Sequence, residues 1–188
     1  MSTGDPILWL CAMNLAFIAA LPRVFFRKGR LNLNWWFTAL PFILAGVGLL
    51  WPATAGAPVR MLSTLAAVTS IALIGFTLGS HRSPVSLWHQ EDDAPDRLVT
   101  HGAYAHVRHP FYAAFLLALS ASLLAAPNPF TMLALLWAGV QLRRTALREE
   151  ARLLRSHMGA DYERYMTTTG RFLPRLSLRA HATDAARR

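Results

Sequence analysis

The chain has 188 residues, of which 54% are hydrophobic and 15% charged, with 19 basic residues, 10 acidic residues and one cysteine. A water-soluble domain carries about 25% charged residues, so this composition leaves too little polar surface to solvate one. The lone Cys11 excludes an intrachain disulfide or a cysteine cluster.

The first apolar run, Ile7–Phe26, follows MSTGDP, which lacks the positive n-region of a signal peptide and so predicts a retained span. Pro22–Asn32 then carries Arg23, Arg27, Lys28 and Arg30. Leu33–Trp51 and Met61–Gly79 are the second and third runs, joined by the Pro-, Ala- and Gly-rich Trp51–Val59. All three reach the roughly 20 apolar residues that a helix needs to cross a hydrocarbon core of about 30 Å. The polar segment His81–Pro110 holds five of the seven histidines and four of the ten acids. Its QEDDAPD stretch reads as an exposed loop able to cover a site. Phe111–Ala126 and Phe130–Leu142 are shorter runs joined by AAPNPF, Ala125–Phe130, whose two prolines and asparagine end one helix and begin the next. They predict a tight helical hairpin. An arginine-rich helix extends the fifth run, and the small, polar, basic tail Ser177–Arg188 is expected to fray.

Charge gives the topology. With five spans, four basic residues in Pro22–Asn32, three in His81–Pro110 and eleven after Leu142 put 18 of the 19 on one side, with Arg60 alone opposite. The positive-inside rule makes that side cytoplasmic and the N-terminus external. The expected fold class is all-α: a polytopic membrane protein with five transmembrane helices. A cytoplasmic cofactor pocket is expected from the 81–110 loop, the hairpin and the C-terminal helical extension. Three parts follow: residues 1–80 with three spans, 81–176 as the functional core, and 177–188 as a basic tail. The net charge of +9 reads as attraction to anionic membrane lipid rather than to nucleic acid, because no soluble domain remains to bind the latter. Eighteen arginines against one lysine suggest a GC-rich bacterial genome, hence a bacterial inner membrane.

Two motifs carry the chemistry, and both fall on the cytoplasmic side. In GAYAHVRHPFYAAF, Gly102–Phe115, Pro110 suits the first position of a helix and His109 its N-cap. The free N–H groups and dipole of that helix end favour an anion, and Arg108 adds to the field. The same residues also suit an interfacial anchor, with Arg108 snorkelling and Tyr104, Phe111 and Tyr112 forming an aromatic belt. In LRRTALREEARLLRSHMG, Leu142–Gly159, a helical wheel puts Glu150 on an apolar face with Ala146, Leu147, Leu153, Leu154 and His157, and Arg143 close beside. Arg144, Arg148, Arg152 and Arg155 gather opposite. A buried carboxylate needs a cation: Arg143 or Arg108 in a structural pair, or the cationic end of a ligand. Glu149 lies toward the flank and reads as a surface pair with Arg152. An anion site at His109 and Pro110 beside a cation-seeking Glu150 fits a zwitterion with an amino-acid end, such as S-adenosylmethionine.

GAYAHVRHPFY, followed by EE…LL…MG..Y..Y and then FLP at Phe172–Pro174, resembles the isoprenylcysteine carboxyl methyltransferase family over about half the chain. The resemblance implies an integral-membrane, S-adenosylmethionine-dependent methyltransferase acting on a lipophilic or prenylated acceptor. It implies cofactor contacts at His89, Asp96, Arg97, Leu98, Val99, Tyr104, His109, Pro110, Phe111, Tyr112 and Glu150, to which the anion argument adds Arg108. Two positions depart from the family pattern. Ala114 stands where a glycine is usual, and Ala146 where an arginine holds the substrate carboxylate. Arg143, Arg144 and His157 are the substitute candidates for orienting a substrate, and a thiol, amine or hydroxyl acceptor becomes as plausible as a carboxylate. An amine or hydroxyl needs a base, for which His106, His109 and His157 are candidates. No metal is expected, since His81, His89, His101 and His106 form no ligand pattern. The alternatives are an NADPH-dependent sterol-type membrane reductase and a non-catalytic scaffold. A transporter would carry ionisable groups inside its spans, and these have almost none.

Overall fold

The computed structural model describes residues 26–27, 30–31, 35–51, 55–80 and 98–175. The first predicted span up to residue 25, the QEDDAPD loop and the basic tail lie outside these residues.

Among the described residues the architecture is helical apart from one minimal ladder. Strands β1 (Phe26–Arg27) and β2 (Arg30–Leu31) pair antiparallel, with Phe26 opposite Leu31 and Arg27 opposite Arg30. Phe26, expected to close the first span, is therefore extended. The helices are α1 (Trp35–Leu49), α2 (Ala57–Gly79), α3 (Pro110–Ala125), α4 (Pro129–Leu154) and α5 (Gly159–Thr168). A single 3-10 turn, Gly102–Ala105, precedes α3.

Helix α2 is the one described helix both long and apolar enough to cross a membrane. Its polarity is inverted relative to a helix of a soluble protein. Ser63, Ala67, Ser70, Ile74 and Thr77 face inward, while Met61, Leu62, Leu65, Val68 and Phe76 are exposed. Small and hydroxyl residues let backbones approach closely and supply hydrogen bonds between helices. Ser63 Oγ donates to the Ala121 carbonyl at 2.6 Å and Ser70 Oγ to the Ala114 carbonyl at 2.7 Å. On the α3 side the contact is built from Ala114, Ala118 and Ala121, all buried.

The hairpin forms as its sequence requires. Asn128 caps α4, its side chain accepting from the amides of Phe130 (3.0 Å) and Thr131 (3.2 Å), while Thr131 Oγ1 accepts from the Asn128 amide in return. Asn128 Nδ2 also donates to the Gly48 carbonyl at 2.9 Å, tying the turn to the end of α1. A Cβ at Gly48 would stand 2.6 Å from Thr131 Cγ2, so only glycine admits this approach. The core lies between α1, α2, α3 and α4, with Phe42 and Phe115 packed edge to face at 5.6 Å.

Helix α4 runs unbroken beyond Leu142 to Leu154, as expected of a helical extension of the fifth run. Its buried stripe is Thr131, Ala134, Ala138, Leu142, Ala146 and Glu150, one residue per turn. The stripe is narrower than the wheel suggests: Leu147 and Leu154 are largely exposed. Helical geometry ends at Arg155, so His157 leaves the stripe and faces solvent. After α5 the chain returns alongside the segment that leads into α3. Val107 bridges Gly170 in parallel, the Arg108 amide donates to the Gly170 carbonyl at 2.8 Å, and the His109 amide donates to the Arg171 carbonyl at 3.0 Å. This C-terminal strap, Thr169–Pro174, completes the site.

Candidate active site

Pro110 opens α3 and His109 is its N-cap, with no side chain capping the helix start. Because the amides of Arg108 and His109 are bound to the strap, both side chains project in fixed directions toward α4. There they meet the last buried position of the α4 stripe. Arg108 Nε donates to Glu150 Oε1 at 3.1 Å, and Arg108 also donates through Nη1 to the Thr169 carbonyl. His109 Nε2 lies 3.2 Å from the same Oε1. From the strap, Arg171 grips the carboxylate with two nitrogens, Nε to Oε1 at 3.0 Å and Nη2 to Oε2 at 2.7 Å. Glu150 is only 3% exposed.

The neighbouring acid has a different set of partners. Tyr112 donates its hydroxyl to Glu149 Oε1 at 2.7 Å, and His109 Nδ1 lies 3.5 Å from Glu149 Oε2. The imidazole thus stands between two carboxylates, one at each ring nitrogen. It stacks on the Tyr112 ring with centroids 5.2 Å apart, and Phe172 meets both rings at an angle, at 6.0 and 6.4 Å.

Residues 61–156 match the model of the isoprenylcysteine carboxyl methyltransferase (ICMT) family. The chain belongs to that family. No curated protein matches it. Membership of the ICMT family supports a membrane methyltransferase in general terms, in keeping with the apolar α2. The matched stretch contains Arg108, His109, Glu149 and Glu150 and ends before the strap.

The two acids of this ICMT-family chain sit in opposite electrostatic settings. For Glu150, burial disfavours the charge. Hydrogen bonds from His109, Arg171 and Arg108 outweigh that and hold the carboxyl well below the usual carboxylate range. For Glu149, burial dominates and pushes the carboxyl up, and the Tyr112 hydroxyl with the nearby His109 and Arg152 charges reverses only part of it. Glu149 is thus not the surface partner of Arg152 expected from the wheel. The first turn of α3 covers its flank of α4 and supplies Tyr112 as its partner.

Of the residues singled out in the sequence, Arg108, His109, Pro110, Tyr112 and Glu150 come together here. Of the two cations expected to pair with Glu150, Arg108 does so, while Arg143 and Arg144 are exposed on α4 and His157 is exposed in the turn after it. Phe111 packs against the core. Tyr104 lies in the 3-10 turn, where its carbonyl accepts the Tyr165 hydroxyl at 2.5 Å. Leu98 and Val99 are half-buried just before that turn. His89, Asp96 and Arg97 lie outside the described residues. Sequence reasoning missed Arg171. The adjacent Phe172–Pro174 motif was visible, but no periodicity links it to residues 107–109.

Phe172 also forms a wall of a second feature. An apolar groove of about 240 Å³ runs beside the strap, lined by Leu73, Phe76, Val107, Leu117 and Phe172, with His106 contributing the titratable group. One aromatic ring therefore separates a carboxylate–cation centre from a hydrocarbon-like recess.

Proposed function

We propose that this protein is a multi-pass membrane methyltransferase that uses S-adenosylmethionine and methylates a lipophilic acceptor from the cytoplasmic side. The observation that carries the reading is the convergence of the α3 start and Glu150: Arg108 and His109 both reach Glu150 Oε1, at 3.1 and 3.2 Å. A cationic group and a helix N-terminus that favour an anion stand beside a carboxylate that stays ionised. That donor set fits a zwitterionic amino-acid end. Arg108 and the opening of α3 would hold its carboxylate, and Glu150 its ammonium.

The bound donor supplies a sulfonium methyl, electrophilic enough to be displaced in line. What this chain contributes is position and exclusion of water. Arg108 and His109 are locked by backbone bonds to the strap, so they hold a ligand without first having to be ordered. Phe172 shields the centre from one side and borders the apolar groove on the other. That groove supports a lipophilic acceptor. His106, on the groove wall, is placed to accept a proton if the acceptor is an amine or hydroxyl.

The inverted α2, with hydroxyls inward and large apolar residues outward, supports a lipid environment. The one-sided distribution of 18 basic residues supports five spans, an external N-terminus and a cytoplasmic site. The test is calorimetry with S-adenosylhomocysteine on the full chain in nanodiscs, comparing wild type with Glu150→Ala and Glu150→Gln. Saturable binding to wild type, weakened by roughly a hundredfold in the variants, is expected for loss of a buried charge partner. Equal affinity in all three removes Glu150 from the site. Saturable binding of NADPH in place of the homocysteine compound favours a reductase instead.

A further inference from the structure

We infer that Arg171 is the exchangeable cation of the Glu150 centre: it occupies Oε2 in the resting protein and yields that oxygen to the ammonium of an incoming ligand. Arg171 thereby sets how strongly the site selects the amino-acid end of that ligand. The inference rests on the donor assignment made above.

The two oxygens of Glu150 are unequally served. Oε1 faces three nitrogens, from Arg108, His109 and Arg171, which exceeds the two lone pairs of a carboxylate oxygen. Oε2 receives Arg171 Nη2 at 2.7 Å. By the same count Oε2 keeps one lone pair open, so an ammonium that joins this carboxylate joins it there, where it meets the like charge of Arg171 and drives that side chain off.

The three partners of Glu150 are also unequally held. The Arg108 side chain is 8% exposed and has a second anchor on the Thr169 carbonyl. His109 is 10% exposed, stacks on Tyr112 and faces Glu149 with its other nitrogen. Arg171 is 29% exposed, and both of its side-chain hydrogen bonds go to Glu150. Among the described partners of Glu150 it is the one able to swing toward water without stranding a buried group. Its backbone stays in place when it does, because the Arg171 carbonyl is tied to the His109 amide. Exchange of one cation for another also keeps the buried carboxylate paired throughout, avoiding the cost of an isolated buried charge.

The test uses the full chain in nanodiscs and two ligands, S-adenosylhomocysteine and 5′-methylthioadenosine. They share the nucleoside thioether, and only the first carries the ammonium. Calorimetry compares wild type with Arg171→Ala, Arg171→Gln and Arg171→Lys. Removing the resident cation should tighten S-adenosylhomocysteine by about tenfold, the size of one charge-assisted hydrogen bond, and leave methylthioadenosine unchanged. Arg171→Lys should return the affinity toward the wild-type value. Weaker binding of S-adenosylhomocysteine, or equal shifts for both ligands, overturns the inference, as does failure of both neutral variants to fold. If wild type binds S-adenosylhomocysteine and the neutral variants bind it no more tightly, the exchange alone falls and the donor assignment stands. If no form of the protein binds either compound, the donor assignment falls and takes the exchange with it.

Discussion

Tyr112 on the first turn of α3 donates its hydroxyl to Glu149 on α4 at 2.7 Å, while Glu150, the next residue along α4, is held by Arg108, His109 and Arg171. Adjacent acids on one helix thus serve two different networks, and the His109 ring joins them. Tyr112→Phe keeps the stacking on His109 and removes the hydroxyl from a half-buried carboxylate. It should cost about 1–3 kcal/mol, the penalty for leaving a buried acceptor unsatisfied. Thermal unfolding in detergent against wild type measures it.

The setting of Glu150 predicts an acid-labile contribution. Its folded-state pKa lies below its ordinary value of 4.5, so the stabilisation is fully present above pH 4.5 and is lost as pH falls from there toward the folded-state pKa. Glu150→Gln breaks the buried pairing at neutral pH, at a cost of about 3–5 kcal/mol. Across the acid window the variant should lose less stability than wild type. Parallel pH–stability curves for the two proteins would contradict the assignment.

Glu149 has the opposite sign. Its carboxyl is raised above 4.5, so the stability linked to its protonated form is present below pH 4.5 and is lost as pH rises through the folded-state pKa. Glu149→Gln keeps an acceptor for the Tyr112 hydroxyl and removes the ionisation. The variant should therefore gain on wild type as pH rises from 4.5 toward neutrality. Chemical or thermal unfolding at several pH values reads the difference.

The α2–α3 contact depends on small residues and hydroxyls. Ala114 is fully buried and its carbonyl receives the Ser70 hydroxyl at 2.7 Å. Ala114→Leu should cost about 1–3 kcal/mol by overpacking. The pair Ser63→Ala with Ser70→Ala should cost less, about 1 kcal/mol together, because hydrogen bonds between apolar helices contribute roughly 0.6 kcal/mol each. A double variant that destabilises more than Ala114→Leu would reverse the ranking of packing over hydrogen bonding.

Gly102 opens the turn that leads to Arg108, at φ +61°. A Cβ there would stand 2.1 Å from Ser80 Oγ. Gly102→Ala should cost about 1–2 kcal/mol from the left-handed backbone alone, plus the clash. Adding Ser80→Gly should relieve the clash and leave the backbone cost together with the loss of the Ala103 amide bond to Ser80 Oγ, a non-additivity that a double-mutant cycle in unfolding experiments detects.

Much of the frame follows from local rules. The Arg-His-Pro sequence places an N-cap and a first helical proline at His109 and Pro110, and α3 begins there. Asn128 between two prolines produces the capped turn of the hairpin. The spacing of Leu142, Ala146 and Glu150 marks the buried side of α4, and all three are buried. These features need only a chain segment and its own periodicity. Where the wheel failed, the cause was a neighbour or an end. His157 fell off the stripe because α4 stops at Leu154, although the first glycine after it is Gly159. Glu149 is drawn inward because α3 covers its flank.

The sequence by itself determined the apolar runs, the helix starts and the burial of an acid at Glu150, because each is written in residues that are near one another along the chain. Tertiary structure alone decided which cations meet that acid. Arg171 reaches it only because the strap after α5 pairs with the backbone of residues 107–109. Such pairing uses main-chain groups that every residue carries, so side-chain identity leaves no trace of it in the sequence.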